Sequence, residues 1–569
     1  MNSIVRLKMK SYLAVGVGLL VAACGGTGPG DSPTISTVTP ATGTVGTELR
    51  IVGTDFQTGA EVLVGDFTAT GVAVNGATEI FASVPAGVVA DSTYDVTVRN
   101  TSGGEITFAD AFTAVVPVLS FVNGATRPSG SNGSTVIVEG HAFGDAQGSG
   151  QVLFSNGAGG TVVGAIAAAD DWTDSFIITT VPAAAADGPI LVQTGTGTSN
   201  SLDFVITNSA PFSPSAIAWN AGQSIPTAVS GHSATYVPIV DGVGTTVEHI
   251  YVIGGAKTDS IPLVDVDYTI IQTDGSISGF STGTALPAGR AFHRTVSATQ
   301  FNSKVQRPAG FLFVLGGIET KNGDPVTTVY QVPLNSDGTT GAAVTSTALP
   351  APLHSFGAVV FRSTIYIAGG ATTGNVPSDV VYRSEIDTLG NLGAWEALTS
   401  LPSARAYHGF GQFGAALYVF GGETGTVDPN DGNYTSNASK TGEVLYAPIN
   451  LRDGLLPASW TVNGSAMQKS RSKASALIAG SNVFVTAGLY AAAGTASTES
   501  IYATLNSNGS VSTFNGATGS NTISALGGIN LFNHAAVSYI DATGNARVMV
   551  LGGDDVNNPG TKSKAVFYY

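Results

Sequence analysis

Six apolar runs that end in glycine recur through the second half of this 569-residue chain. They are YVIGG (Tyr251 to Gly255), FVLGG (Phe313 to Gly317), YIAGG (Tyr366 to Gly370), YVFGG (Tyr418 to Gly422), a degraded FVTAG (Phe484 to Gly488) and VMVLGG (Val548 to Gly553). Downstream of the runs come an aromatic residue, Leu-Pro and a histidine, at a period of roughly 50 to 65 residues. One such unit cannot bury both of its faces, so copies at this period stack on one another around an axis. Each copy reads as four strands: an innermost strand after the histidine, a second ending at the glycines, a third carrying Tyr268, Tyr330, Tyr382, Tyr446, Tyr502 or Phe567, and a fourth marked by Phe280, Trp395, Trp460 or Phe514. Asp274-Gly275, Asp337-Gly338, Asp453-Gly454 and Asn508-Gly509 supply the positive φ angles of tight turns between third and fourth strands.

Composition agrees with a turn-rich β protein: 74 Gly, 25 Pro, 43% hydrophobic and only 11% charged residues. A net charge of −16 repels phosphate backbones and anionic lipid, which argues against nucleic acid as a partner. The single cysteine, Cys24, excludes disulfides within the chain and cysteine-based metal sites.

Arg6, Lys8 and Lys10 precede an apolar stretch from Tyr12 to Ala23 that is too short to span a bilayer as a helix. The following Ala22-Ala23-Cys24-Gly25 resembles the lipobox of bacterial lipoproteins. That resemblance implies a signal peptide over 1–23, lipidation of Cys24, and a membrane partner reached through acyl chains. An outer-membrane destination is expected because no acidic residue follows the cysteine. Residues 24–32 read as a Gly/Pro/Ser/Thr tether.

Between the tether and the repeats lie two stretches of short alternating strands, 33–115 and 116–208, spaced as in a β-sandwich. The first carries Thr37 to Gly46, then Ile51-Val-Gly-Thr-Asp-Phe56 and Val84-Pro85. The second answers with Gly133-Ser-Thr-Val-Ile-Val-Glu-Gly-His-Ala-Phe143 and Val181-Pro182. Both resemble the IPT/TIG family of immunoglobulin-like domains, and Phe56, Phe143 and Trp172 are expected in their cores.

The repeats resemble the kelch family, which implies a six-bladed β-propeller over 210–569. The last copy ends after its third strand, while Ser215 to Asn220 ahead of the first copy has a fourth-strand pattern with Trp219. Pairing of Ala216 to Trp219 beside Lys564 to Tyr569 is therefore expected to close the ring with the N-terminal strand. The expected fold class is all-β: two tandem Ig-like sandwiches and a six-bladed propeller closed in this way.

Candidate chemistry gathers at the repeats. His232, His293, His354, His408 and His534 are expected at one repeat position, with Lys473 at the sixth, forming a ring about the axis. Arg290, Arg405 and Arg471 stand just ahead, and Glu319, Glu423 and Asp554 follow their glycines, so all twelve are expected near one face. Kelch resemblance makes that face the recognition surface for a carbohydrate or protein ligand, with arginines as planar donors. A second reading has the histidines satisfying backbone groups between blades. No catalytic set, metal site or cofactor is expected: the mature chain lacks the Cys–Tyr crosslink of a galactose-oxidase-like copper centre and the Asp boxes of sialidases. Asp428 to Asn433 has the Asx density of a calcium loop without a closing Glu. The expected role is an envelope-anchored, non-enzymatic binding or adhesion protein, with a sugar epimerase or mutarotase and a structural surface-layer component as the alternatives.

Overall fold

The computed structural model describes residues 32–568 apart from 91, 124–127, 207–218, 241–245, 259–260, 300–309, 388–389, 426–439, 452, 464–466, 468–469, 480–481, 491–499, 507–508, 515–530, 541–545 and 556–560. The signal peptide, Cys24, most of the tether, Ala216 to Ala218 and the Asp428 to Asn433 segment lie outside the described residues. Among those described, the chain is all-β, with one 3-10 turn at Ala169–Asp171 and no α-helix.

The N-terminal domain is a sandwich of two sheets. One orders Thr34–Thr39, Glu48–Thr54, Glu79–Ser83 and Thr70–Val74; the other orders Thr42–Gly43, Glu105–Ala114, Thr93–Arg99, Glu61–Val64 and Phe67–Thr68. The second domain repeats that order without a counterpart of Thr70–Val74: Val118–Val122, Thr135–His141 and Phe176–Thr180 form one sheet, and Ser129–Gly130, Leu202–Ile206, Gly188–Thr194, Gln151–Ser155 and Thr161–Val163 the other, to which Gly197–Thr198 adds a short strand beside Gly188–Thr194. Both copies even keep the parallel pairing of the short strand, Thr42 with Thr113 and Ser129 with Val205.

The shared Gly-x-x-Phe signature has a steric cause. A Cβ on Gly53 would stand 1.8 Å from the Thr34 carbonyl oxygen and 2.6 Å from the Phe56 ring, and one on Gly140 would stand 1.9 Å from the Val118 oxygen and 2.5 Å from Phe143. Only glycine lets the ring fold back over its own strand. Phe56, Phe143 and Trp172 are all buried, and the Trp172 indole donates to the Phe143 carbonyl at 3.1 Å, as expected of core anchors.

The remaining described strands form six larger sheets in sequence order, with two further two-stranded pairs, Ala371–Thr372 with Val376–Pro377 and Arg471–Ser472 with Leu489–Tyr490. The first comprises Ser233–Val240, Thr246–Ile253, Val266–Ile270 and Ser281–Thr282, and the second Arg294–Thr299, Gly310–Leu315, Val329–Leu334 and Val344–Thr345. The third comprises Gly357–Phe361, Thr364–Ala368, Val381–Glu385 and Glu396–Ala397; the fourth Gly409–Phe413, Ala416–Phe420, Val444–Pro448 and Thr461–Val462. The fifth shows Ser475–Ala479, Asn482–Thr486 and Ile501–Thr504. The sixth is assembled from both ends of the region: Ala535–Ile540, Ala546–Asp555, Lys562–Tyr568 and, beside the last, Asn220–Ala221. The added strand pairs Asn220 with Tyr568 and Ala221 with Phe567, so the pairing falls just after Trp219 rather than upon it. Trp219 instead lies against Phe484 of the fifth sheet, with ring centres 6.3 Å apart. Aromatics of other fourth strands behave alike: Trp395 donates to the Thr347 carbonyl of the second sheet and Trp460 to the Thr399 carbonyl of the third. They sit just before the short edge strands and staple each sheet to its predecessor.

First strands of successive sheets lie side by side, and that of the sixth lies against that of the first as well as that of the fifth. Second strands are buried at nearly every residue, as in Thr364–Ala368 and Ala416–Phe420, because each is covered by a sheet on either face.

The second sandwich packs on one end of this array. Arg362, in the two-residue turn between Gly357–Phe361 and Thr364–Ala368, pairs with Glu139 at 3.1 Å, and its guanidinium lies 4.7 Å from the centre of the Phe176 ring. Ile137 and Phe176 of the sandwich share one apolar cluster with Phe361 and residues of the third and fourth sheets. That turn lies at the opposite end of the strand from His354, so the histidine end of the sheets faces away from the sandwich.

Candidate functional site

Backbone geometry sets the register of the repeats. Gly231, Phe292, Ser355, Tyr407, Lys473 and Asn533 take left-handed conformations, with φ between 51° and 62°. The residues after them, His232, His293, Phe356, His408, Ala474 and His534, have Cβ atoms 2.6–2.9 Å from where a Cβ on Gly255, Gly317, Gly370, Gly422, Gly488 and Gly553 would stand. Glycine is needed at those six positions for room as well as for φ, which lies between 85° and 107°.

This register corrects the ring expected from histidine spacing. His354 precedes the left-handed Ser355, and its true counterparts are Ala291 and Ala406, since His354 bridges to Ala371 as those bridge to Ile318 and Glu423. Lys473 occupies the left-handed position itself, one residue before the histidine position. Four histidines, not five, are therefore equivalent. The Phe356-Gly357 dipeptide, which parallels His408-Gly409, is the signal in the sequence that marks this register.

Two cyclic sets of backbone hydrogen bonds run through these residues. In the inner set each left-handed residue donates to that of the preceding sheet: Phe292 to Gly231, Ser355 to Phe292, Tyr407 to Ser355, Lys473 to Tyr407, Asn533 to Lys473, and Gly231 back to Asn533, at 2.7–3.0 Å. In the outer set the second glycine of each sheet donates to the next: Gly255 to Arg290, Gly317 to Leu353, Gly370 to Arg405, Gly422 to Arg471, Gly488 to Leu531, and Gly553 to Val229, at 2.7–3.0 Å. Twelve hydrogen bonds thus fix eighteen residues, far apart in sequence, in one rim.

The histidines at this position are buried between sheets. His293 Nε2 lies 2.8 Å from Ser233 Oγ of the first sheet, and His534 Nε2 lies 2.8 Å from Thr486 Oγ1 of the fifth. His232 faces the Leu551 carbonyl of the sixth sheet and His408 the Ala368 carbonyl of the third. Burial holds their basicity down, to about 4 for His232 and about 3 for His408 and His534, so they are neutral at pH 7. His354 bonds within its own sheet, through Nδ1 to Ser355 Oγ at 3.0 Å and Nε2 to Asn375 Oδ1 at 3.2 Å.

The three arginines are buried as well. Arg290 pairs with Glu319 at 2.5 Å and lies 4.7 Å over the Tyr330 ring. Arg405 pairs with Glu443 at 2.5 Å and donates to Ser403 Oγ. Arg471 donates to the Ala487 carbonyl at 3.1 Å. Glu423 accepts a 2.5 Å bond from Ser472, while Asp554 accepts from Asn533 at 3.0 Å and pairs with Lys562. Folding thus brings the expected residues to one end of the array, yet turns most of them into it.

What lines the axis is a largely different set, in which His232, Lys473 and His534 are the residues that repeat spacing singles out. Phe292, Arg294, Ser355, Tyr407, Lys473 and Asn533 border a small axial cavity of ≈ 30 Å³. Lys473 Nζ lies 4.8 Å over the Tyr407 ring, and the Phe292 and Tyr407 rings meet edge to face at 6.1 Å. No cluster of three or more metal-ligating side chains occurs among the described residues.

No curated protein matches the sequence. Residues 33–114 match the model of the IPT/TIG domain, and the first sandwich is therefore an IPT/TIG domain.

Proposed function

We propose that this chain is a lipoprotein of the bacterial envelope, anchored through Cys24. In this reading two immunoglobulin-like modules carry a closed six-bladed kelch-type β-propeller that binds a carbohydrate or protein ligand without chemical turnover. The observation that carries the reading is the pair of cyclic hydrogen-bond sets, which returns from Asn533 to Gly231 and from Gly553 to Val229. Six sheets that share such a hub present one rigid face built from loops, as a recognition surface requires. The sandwich occupies the opposite face through Glu139 and Arg362, leaving the rim directed away from the sandwich. The strand order that the two sandwiches share, all but the edge strand Thr70–Val74 of the first, supports an IPT/TIG assignment for the second module as well.

Glycan and peptide arrays probed with the purified protein test the binding role. Ser355→Phe blocks the axial mouth with a residue its backbone accepts, because Phe292 already holds that conformation. Loss of array binding in this variant, with the fold retained, is expected; unchanged binding moves the ligand off the rim. Cys24→Ala, expressed with its signal peptide, is expected to shift the protein from the detergent-extracted to the soluble fraction. Retention in the membrane would remove the lipid anchor from the reading.

A further inference from the structure

The axial cavity has an electrostatic character opposite to that of the protein. The chain carries a net charge of −16, yet among the described residues two cations and no carboxylate line this cavity. Arg294 is the unusual one. Elsewhere Arg290, Arg362, Arg383 and Arg405 each meet a carboxylate at 2.5–3.1 Å. Arg294 meets none among the described residues: its Nε donates to the Phe356 carbonyl at 2.8 Å, which orients the guanidinium, and its two terminal nitrogens have no acceptor among those residues.

Geometry also removes the backbone from competition. Every left-handed residue of the hub spends its N–H and its carbonyl on the neighbouring sheets, so these six residues offer the cavity their side chains alone. Burial without a counter-charge penalises the Arg294 cation and lowers its pKa, and an entering anion would relieve that penalty. The histidines that share the wall, His232 and His534, are neutral at pH 7 and neither repel nor replace such an anion.

We propose that the cavity is a carboxylate-binding subsite, in which the terminal nitrogens of Arg294 receive the two oxygens and Lys473 neutralises the charge from the rim. The inference rests on the recognition role of the rim given above and narrows its ligand class. At ≈ 30 Å³ the cavity admits a carboxylate group or about one or two waters, not a sugar ring. The ligand therefore inserts an acidic group while its body lies on the rim. An acidic sugar and an acidic peptide side chain present the same chemistry, and the guanidinium fork matches both.

Calorimetric titration with glucuronate, glucose, N-acetylglutamate and N-acetylglutamine separates these sources. Binding of glucuronate, N-acetylglutamate or both, with neither neutral analogue, is expected, and the responding acid identifies a glycan or a peptide source. Arg294→Gln is expected to weaken it about tenfold or more, the loss of a charge-assisted bidentate contact. Arg294→Lys should retain part of the affinity, and Lys473→Met should weaken binding less than Arg294→Gln. Should Arg294→Gln fail to fold, Ser355→Phe, which fills the cavity and leaves both cations in place, decides the question. Equal binding of acid and neutral analogue overturns the inference, as does acid affinity unchanged by Arg294→Gln or Ser355→Phe. Absence of acid binding alongside rim-dependent array binding overturns the carboxylate subsite alone, whereas loss of rim dependence on the arrays overturns the recognition role itself.

Discussion

His293 Nε2 sits 2.8 Å from Ser233 Oγ, across the seam between the first and second repeat sheets. Ser233 in turn lies 2.6 Å from Thr295 Oγ1, so a short polar chain crosses an otherwise apolar contact. A buried imidazole that serves as a seam must stay neutral, and this gives the assembly a pH dependence.

The sign follows from the direction of the shifts. His232, His408 and His534 are held at about 4, 3 and 3, below the ordinary 6.5 of an unfolded chain, so unfolding takes up protons between those values. Their contribution is complete above about pH 6.5 and is lost as pH falls, by up to about 1.4 kcal/mol per pH unit for each histidine. Guanidinium unfolding midpoints should fall from pH 7.5 to pH 4.5. His408→Gln should be clearly destabilising at pH 7.5 and nearly neutral at pH 4.5, because the wild type has by then lost the imidazole's advantage. A deficit independent of pH would show that His408 acts through packing alone.

Gly422 tests the hub itself. Its φ is +105°, and a Cβ there would meet the His408 Cβ and the Ala406 carbonyl, each at 2.8 Å. Gly422→Ala should cost about 2–3 kcal/mol, from strained backbone and displaced seam together. The preceding position, Gly421, is less demanding of the backbone, at φ +63°, and Ala487 fills it in the fifth sheet at φ 47°, although a Cβ on Gly421 would meet the Arg471 carbonyl oxygen at 2.6 Å. Thermal denaturation of Gly421→Ala and Gly422→Ala should therefore rank the second as the more damaging.

How far the sequence is legible depends on what each residue answers to. Gly-Gly pairs, Gly-x-x-Phe and the Asp-Gly turns report backbone conformation and close approach, which are local, and the six sheets and both sandwiches follow from them. Histidine identity misleads at His354 because repeat register is set by the left-handed residue, and an imidazole two positions early can look equivalent in a string of letters. Arg294 escapes notice because it begins an ordinary inner strand; its significance arises only when five other sheets wall it in. Burial of Arg290, Arg405 and Arg471 is hidden for the same reason, their carboxylate and carbonyl partners lying 16 to 38 residues away.

Trp219 joins the two ends of the repeat region. It packs with Phe484 and Val548 on one side and with Phe567 on the other, spanning the fifth and sixth sheets. Trp219→Ala should cost about 2 kcal/mol, reduced from a full core deletion because the ring is only half-buried. Its distinctive signature is loss of cooperativity: hydrogen exchange in Lys562–Tyr568 should accelerate before exchange in the third and fourth sheets. Uniform acceleration across all six sheets would mean that the ends are held together by something other than this strand.

The Glu139–Arg362 pair fixes how the second sandwich meets the sheets. Glu139 is 4% exposed, and Arg362 reaches both its carboxylate and the Phe176 ring. Arg362→Ala removes an ion-pair partner from a buried carboxylate and a cation from the Phe176 ring, and should weaken the docking by about 2–3 kcal/mol. Glu139→Gln alone should cost less, because it leaves the cation over the ring, and the double variant should be less unstable than the sum of the two. Limited proteolysis of the 207–218 connection reads the effect directly, with faster cleavage in Arg362→Ala and partial protection restored in the double variant. Additive effects of the two substitutions would mean that the apolar contact of Ile137 and Phe176 holds the domains together without the ion pair.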